Sequence, residues 1–538
     1  GKLSSLENYS NGVLDGEYVS YYNNGQVHYR YMNVKGVSTG PIEYFDKDGK
    51  RYSVLNYDKE KLLSGKYFDK SGKQISMSES KQGKLNLEVF NPDGTKRSIS
   101  PFNTKGMLEG VKLTFYGSGK EQMKETYVNG ELNGESIAYF PSGKINYTFD
   151  YKNQERNGYY MYGYSHGSLR EEGWYGNDQP QGECLAYDIL GNLIYSSWYL
   201  NGSLNGLRTE YWPDGKKKNE YFYEMDKFLF MREYDTTGKV INEVKLDKGN
   251  GKFTAVYPTG KRYAECNYVK GNIEGPYKIY FPDGTLHSQR FYKNGLQDST
   301  AVVYDPGGII RTEYQYKMGE KAGTWKYYYH NGKIYNTEQY IAGNLHGKST
   351  YYTDEGKLDT EIEFRNGERN GMYRKYAPDG TLMFQVRYEE GVQMGYSYLD
   401  KNGKLISEIP FIQGNGKIRA FYPNGNPSAI MEYIDGVLHG ENKLFYPNGK
   451  LIVSSNLSYD NVEGDRNENY ADGKLKSRHR FLHDNYHGPY KEFNPSGILI
   501  KEGNYHNDEL HGEQRYYDEK GGLKQVRKYY YGLLLEIK

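Results

Sequence analysis

The chain has 538 residues with 61 Tyr and 65 Gly, and its hydrophobic class is 36% with tyrosine counted in. Without tyrosine about a quarter of the chain is left for aliphatic cores, too little for the three or four ordinary domains this length suggests, whereas 16% aromatic residues is too many for a disordered chain. A net charge of +1 provides no field to attract nucleic acid or an anionic surface, and no apolar run approaches the ~18 residues of a membrane span.

The chain opens Gly1-Lys2-Leu3 without an initiator methionine. We read this as the trace of a removed signal peptide and expect an exported protein, periplasmic or at the cell surface, with a cytoplasmic location as the alternative. Residues 1–15 are expected to form the N-terminal cap of a repeat array. From Gly25 a glycine recurs through Gly49, Gly72, Gly94, Gly119 and Gly143 to Gly521, 22 times at intervals of 22 to 25 residues. Two aromatic columns keep phase with it. Four residues before the repeat glycine (position −4) the column includes Tyr139, Tyr187, Tyr211, Tyr280, Tyr304, Tyr328, Tyr352 and Tyr376; eight residues after it (+8) it includes Tyr199, Tyr223, Tyr268, Tyr292, Tyr316 and Tyr340.

Pro precedes the glycine by two residues at Pro141, Pro213, Pro282, Pro378, Pro423 and Pro447, with Ser, Asp or Asn between them. Proline presets φ, Asp or Asn accepts the second turn position, and glycine takes positive φ, so each unit is predicted to be a hairpin. Position −4 should then pair with +2, as Tyr139 with Ile145, and strict alternation would place −4, +2 and +8 on one face. A second link, Asn129-Gly130-x-Leu132-x-Gly134 and its counterparts, joins successive hairpins. No helical period appears. At ~10 Å per hairpin the array would be a rod on the order of 200 Å long. Residues 522–538 are expected to form the C-terminal cap.

The stretches 127–145, 268–286 and 433–451 carry the Tyr-x-x-Gly link followed by the Pro-x-Gly or Ser-Gly turn, and they resemble MORN repeats, more closely the bacterial MORN-repeat variant of antitoxin-like proteins of the YwqK type. The resemblance implies an all-β fold: an elongated, single-layer antiparallel β-meander of about 22 tandem hairpins over residues 1–538, curved, with an aromatic groove. It also implies an antitoxin or immunity role, although 22 repeats is many more than the small members carry. The segment Tyr234-Asp-Thr-Thr-Gly-Lys-Val240 resembles the tyrosine-aspartate repeat of large toxin shells, but few units keep the Tyr-Asp pair and the chain is short for such a shell.

Catalytic chemistry finds no support. Gly343 to Thr350 is like a phosphate-binding loop but has three residues between its glycines where four are needed, and a strand is expected after it. His346, His439, His487 and His511 each precede a link glycine as repeated turn residues and are not expected to converge on a metal. Cys184 and Cys266 lie more than three units apart and are expected to be buried free thiols. Lys216, Lys217 and Lys218 are expected to decorate a hairpin end. No catalytic residue, cofactor or metal site is assigned. The expectation is a non-enzymatic repeat scaffold that binds a protein or extended polymer through the fourteen tyrosines named above. Antitoxin and glycan-binding roles are the alternatives. Nucleic acid and a transmembrane segment are not expected, and the resemblance admits association with the cell envelope.

Overall fold

The computed structural model describes residues 3–22, 24–59 and 61–538; Gly1 and Lys2 of the expected N-terminal cap lie outside them. Among the described residues there is no helix, and strand follows strand as antiparallel hairpins. The predicted turn forms: Gly143 N–H donates to the Phe140 carbonyl at 2.7 Å and Phe140 N–H to the Lys144 carbonyl at 2.8 Å, with Gly143 at φ 84°. A Cβ is disfavoured at that φ, which explains the recurrence of glycine. In the second link Asn129 and Gly130 both have positive φ, 50° and 86°, the requirement of a two-residue turn between right-twisted strands.

The −4/+2 pairing also forms: Tyr139 with Ile145, Tyr187 with Leu193, Tyr280 with Leu286 and Tyr376 with Leu382. The expected common face does not. In each of these hairpins −5 pairs with +4 and −4 with +2, so a β-bulge falls between them and breaks the alternation. Positions −7, −5, +4, +6 and +8 share the buried face, while −4 turns to the other side with +5 and +7. The repeat at Gly260 shows the inner set: Phe253, Ala255, Ala264 and Cys266 are buried in one cluster with Phe228 and Met231, and Tyr268 packs against it.

Among the described residues three boundaries separate the four long sheets, between Gln74–Glu79 and Leu85–Phe90, Val240–Lys245 and Gly251–Val256, and Ile409–Pro410 and Gly416–Phe421. Each falls in a shortened interval. Gly72 to Gly94, Gly238 to Gly260 and Gly403 to Gly425 are all 22 residues, and each follows one of 23. A single bridge closes the shortened link, Lys81 with Lys84, Asp247 with Asn250 and Ile412 with Asn415. Too short to carry the next strand into the same sheet, the link leaves the inner faces on its two sides to share a core. Around the third boundary that core holds Met383, Phe384, Val386, Tyr388, Tyr396, Phe411, Ile418, Ala420 and Met431. Polar ties span it: Ser428 Oγ donates to the Met383 carbonyl at 2.8 Å and Gln393 Nε2 to the Gly436 carbonyl at 2.8 Å.

Contacts divide the chain into two compact units, the first comprising residues 1–167 and 175–178, the second 168–174 and 179–538. The first holds the first boundary and its cluster of Leu62, Tyr67, Leu85 and Leu87. The second holds the other two. Within the second unit the array does not run straight. Tyr530 donates to Asp214 Oδ2 at 2.7 Å, and the Trp212 ring lies 5.0 Å from that of Tyr530. A straight meander would hold these residues on the order of 130 Å apart, so strand twist and the boundaries bend this part of the array back upon itself.

Candidate functional site

The bulge distributes the fourteen predicted tyrosines over two faces. On the outward face the −4 hydroxyl donates to the +5 glutamate of the preceding repeat: Tyr187 to Glu172 at 2.8 Å, Tyr280 to Glu265 at 2.6 Å, Tyr328 to Glu313 at 2.7 Å and Tyr376 to Glu361 at 3.0 Å. Tyr234 to Glu220 and Tyr517 to Glu502 continue the series at 2.6 and 2.7 Å. Tyr139, Tyr211, Tyr304 and Tyr352 are half-buried on this face opposite Lys124, Ser196, Gln289 and Thr337, where no glutamate stands at +5. Cations gather on the glutamates, Arg262 and Lys252 on Glu265 at 3.2 and 3.0 Å and Lys491 on Glu502 at 3.4 Å. Those cations, with the tyrosine hydrogen bond as the leading cause, hold Glu265 and Glu502 below the usual carboxylate range. Position +7 shares this face and carries exposed rings at Trp174 (57%), Trp198 (51%), Phe222 (40%) and Phe291 (40%).

The +8 tyrosines face inward. Tyr268 packs at a tilt on Phe228 at 4.9 Å, Tyr223 lies 5.9 Å from the same ring, Tyr292 is 6.2 Å from Tyr277, and Tyr316 and Tyr340 flank Trp325 at 5.4 and 5.0 Å. Tyr199 is half-buried on the same side. The two columns therefore lie on different faces of the sheet.

Sequence reasoning missed position −3, the first residue of the turn. Where it is tyrosine, its hydroxyl donates to the −4 carbonyl of the next repeat: Tyr22 to Phe45, Tyr116 to Tyr139, Tyr257 to Tyr280, Tyr329 to Tyr352, Tyr422 to Phe445 and Tyr470 to Phe493, at 2.6 to 2.9 Å. Where it is aspartate, Oδ1 caps its own turn, Asp188 accepting from the Leu190 and Asn192 amides at 2.9 and 2.8 Å. One position thus serves either the neighbouring hairpin or its own.

The other residues singled out in the sequence stay apart or turn structural. Gly343 to Thr350 is a link followed by the strand Gly347–Tyr352. His439 and His511 pack on Tyr459 and Tyr531 at 4.5 and 4.2 Å, and His506 stands between His487 and His511 at 5.1 and 6.2 Å. Cys184 and Cys266 are free and buried, and burial pushes the Cys266 thiol up to about 12. Lys216 pairs with Asp214 at 3.0 Å and Lys217 with Glu220, but Lys218 stands 4.4 Å over the Trp212 ring.

That ring opens a cavity of 590 Å³ in the second unit, where strand Leu523–Tyr530 and the residues after it meet the turn ends of the hairpins between Glu210 and Pro306. Trp212, Tyr221, Tyr257, Tyr263, Tyr277, Phe281 and Tyr531 wall it, with Glu233, His287, Lys218 and Glu509 among them. Trp212 is 4% exposed, and its Nε1 has no hydrogen-bond partner among the described residues. Burial, aided by Arg290, lowers His287 below its ordinary range, and burial raises Glu233 above its own. A sequence signal existed. The inner position −5 is Ala at 138, 186, 255 and 420, yet Glu at 210 and 233 in consecutive repeats.

With the hairpin geometry established, eight stretches match the family model for the MORN repeat variant: residues 14–32, 132–153, 204–225, 273–294, 321–342, 345–366, 438–457 and 486–507. These eight are MORN-variant repeats. The matched MORN stretches fall in both units and keep the same phase of link and turn. No curated protein matches the chain. Among solved structures, it is similar to a chain of the TcdB2-TccC3-Cdc42 complex at 11% identity and a TM-score of 0.17, covering 97% of this chain and 33% of that one. It is similar to TcdB2-TccC3 without its hypervariable C-terminal region at 11% identity and TM-score 0.17, over 96% of this chain and 35% of that one. A chain of the Photorhabdus luminescens Tc holotoxin pore is similar at 10% and 0.14, over 96% and 35%. The chain spans about a third of the length of these solved chains.

No helix among the described residues is long and apolar enough to cross a membrane.

Proposed function

We propose that the chain is a non-enzymatic, exported repeat scaffold that holds an extended protein partner along its outward face. The observation that carries this reading is the Tyr-to-Glu hydrogen bond between positions −4 and +5, made in the same way six times among the described residues. Five of the six, from Tyr187 to Tyr376, recur in every second hairpin, a spacing of ~20 Å, and weak contacts repeated at a fixed spacing accumulate along an extended ligand. The exposed rings at Trp198 and Phe222 supply apolar anchors beside a polar ladder, the composition of a protein-binding surface. The +8 tyrosines are committed to the inner core and contribute rigidity.

The test is to probe the full chain against arrays of extended peptides and of glycans, with the double variant Trp198→Ala, Phe222→Ala alongside. Extended peptides should bind, and the variant should lose at least about tenfold in affinity. Binding confined to glycans would replace this reading with the glycan-binding one. Tight one-to-one binding of a single toxin domain, indifferent to the variant, would replace it with the antitoxin one. Cell fractionation checks the exported location.

A further inference from the structure

We propose that the cavity beside Trp212 is a binding site for a small organic cation, an ammonium or guanidinium group, held by Glu233 against the surrounding aromatic rings. This does not rest on the outward-face reading: Tyr234 and Tyr280 border the cavity, but Glu233, the group that holds the cation, lies on the inner face.

Glu233 is the key group. It is 7% exposed, and no cation stands within ion-pair distance of it among the described residues. Its partners are the Asn242 side-chain amide at 2.7 Å and the Val256 N–H at 2.9 Å, and both donate to Oε2. Oε1 accepts no hydrogen bond among the described residues. The other inner-face glutamates at position −5 are compensated: Glu210 has Arg208 at 3.5 Å, Glu468 has Arg466 at 3.2 Å, and Glu492 has Lys501 at 3.1 Å. A buried carboxylate without a counter-charge is costly, and the same position in three other repeats, where the glutamate is less buried, is nevertheless paired with a cation.

The walls suit a cation as well. Tyr221, Tyr263 and Tyr277 line the same cavity as Glu233, and ring faces attract positive charge most strongly when water is excluded. Lys218 already uses this attraction at the Trp212 face, 4.4 Å away. His287 adds no compensating charge, since burial and Arg290 favour its neutral form. The unpartnered Trp212 Nε1 donor leaves room for an acceptor on the same ligand. At 590 Å³ the space is that of a small-molecule site.

The cation can come from a free amine or from a lysine or arginine side chain of a peptide. Binding of choline and agmatine to the full chain, measured by calorimetry and ligand-observed NMR, tests the shared chemistry, with a short arginine-containing peptide as the second arm. Choline should bind at least about tenfold more tightly than 3,3-dimethylbutan-1-ol, its uncharged carbon isostere. Glu233→Gln, which keeps shape and removes charge, should weaken it by a similar factor at an unchanged unfolding temperature. Lys218→Met, which removes the resident cation, should tighten it and controls against misfolding of the first variant. Tighter binding of the peptide than of either small amine assigns the source to a polypeptide, and the reverse to a free amine. Equal binding of the isostere, weakened binding by Lys218→Met, or no binding of any cation at about 10 mM would overturn the proposal.

Discussion

Tyr376 and Tyr388 lie on adjacent strands of one hairpin, Glu368–Tyr376 and Leu382–Glu389, and the bulge places them on opposite faces. Tyr388 is 3% exposed within the core of Met383, Phe384, Val386 and Tyr396, and the Arg369 guanidinium lies 5.4 Å from its ring centre. A tyrosine so buried removes on the order of 200 Å² from water, of which alanine keeps about a quarter; at ~25 cal/mol/Å² the loss is about 4 kcal/mol as an upper bound, so Tyr388→Ala should cost about 3–4 kcal/mol. Tyr376 is half-buried and contributes one hydrogen bond to Glu361, so Tyr376→Ala should cost about 1 kcal/mol or less. Because long repeat arrays unfold in parts, the measurement is native-state hydrogen exchange of the strand amides, supported by urea midpoints. Amides of Leu382–Glu389 should lose protection in Tyr388→Ala and keep it in Tyr376→Ala. Equal costs for the two would refute the assignment of faces, as would a larger cost for Tyr376→Ala.

Removing the inter-hairpin clamp in Tyr422→Phe, whose hydroxyl lies 2.6 Å from the Phe445 carbonyl, should lower local stability by about 1 kcal/mol, read as faster exchange of Tyr446 and Gly449 amides; unchanged exchange would show that the bond contributes nothing. Gly503→Ala should destabilise by about 1–3 kcal/mol, since a Cβ there would stand 1.6 Å from Oε1 of the fully buried Gln514; the pair Gly503→Ala, Gln514→Ala should recover part of the loss in thermal melting. Burial raises Tyr221, Tyr373 and Tyr433 above 10, so their contribution is fully present below the unfolded value near 10 and is lost as pH rises above it, because only the unfolded chain then ionises freely. Burial lowers His479 and His506, which makes stability fall as pH drops below about 6.5. Urea midpoints against pH should therefore form a plateau between these limits, and tyrosinate absorbance should appear together with unfolding. Ionisation of most tyrosines near 10 in the folded state would contradict their burial.

The hairpin and its phase were legible in the chain alone. Gly143, Pro141 and the Asn129-Gly130 pair have local conformational demands that a tandem sequence repeats, and the −4/+2 pairing of Tyr139 with Ile145 follows from the turn. The sheet boundaries were legible in principle, because the 22-residue intervals ending at Gly94, Gly260 and Gly425 stand 166 and 165 residues apart, although the interval by itself does not say that a shared core will form there. What the sequence could not settle is the face each aromatic column occupies. A β-bulge between −5 and −4 is set by how two strands hydrogen-bond, and it reverses a side that alternation along one strand predicts. Nor could it bring Tyr530 to Asp214, or Leu534 to the cavity of Glu233. Such contacts join residues hundreds of positions apart and arise from small rotations summed over many hairpins. Local chemistry determined the repeat, and accumulated geometry decided which residues of distant repeats meet.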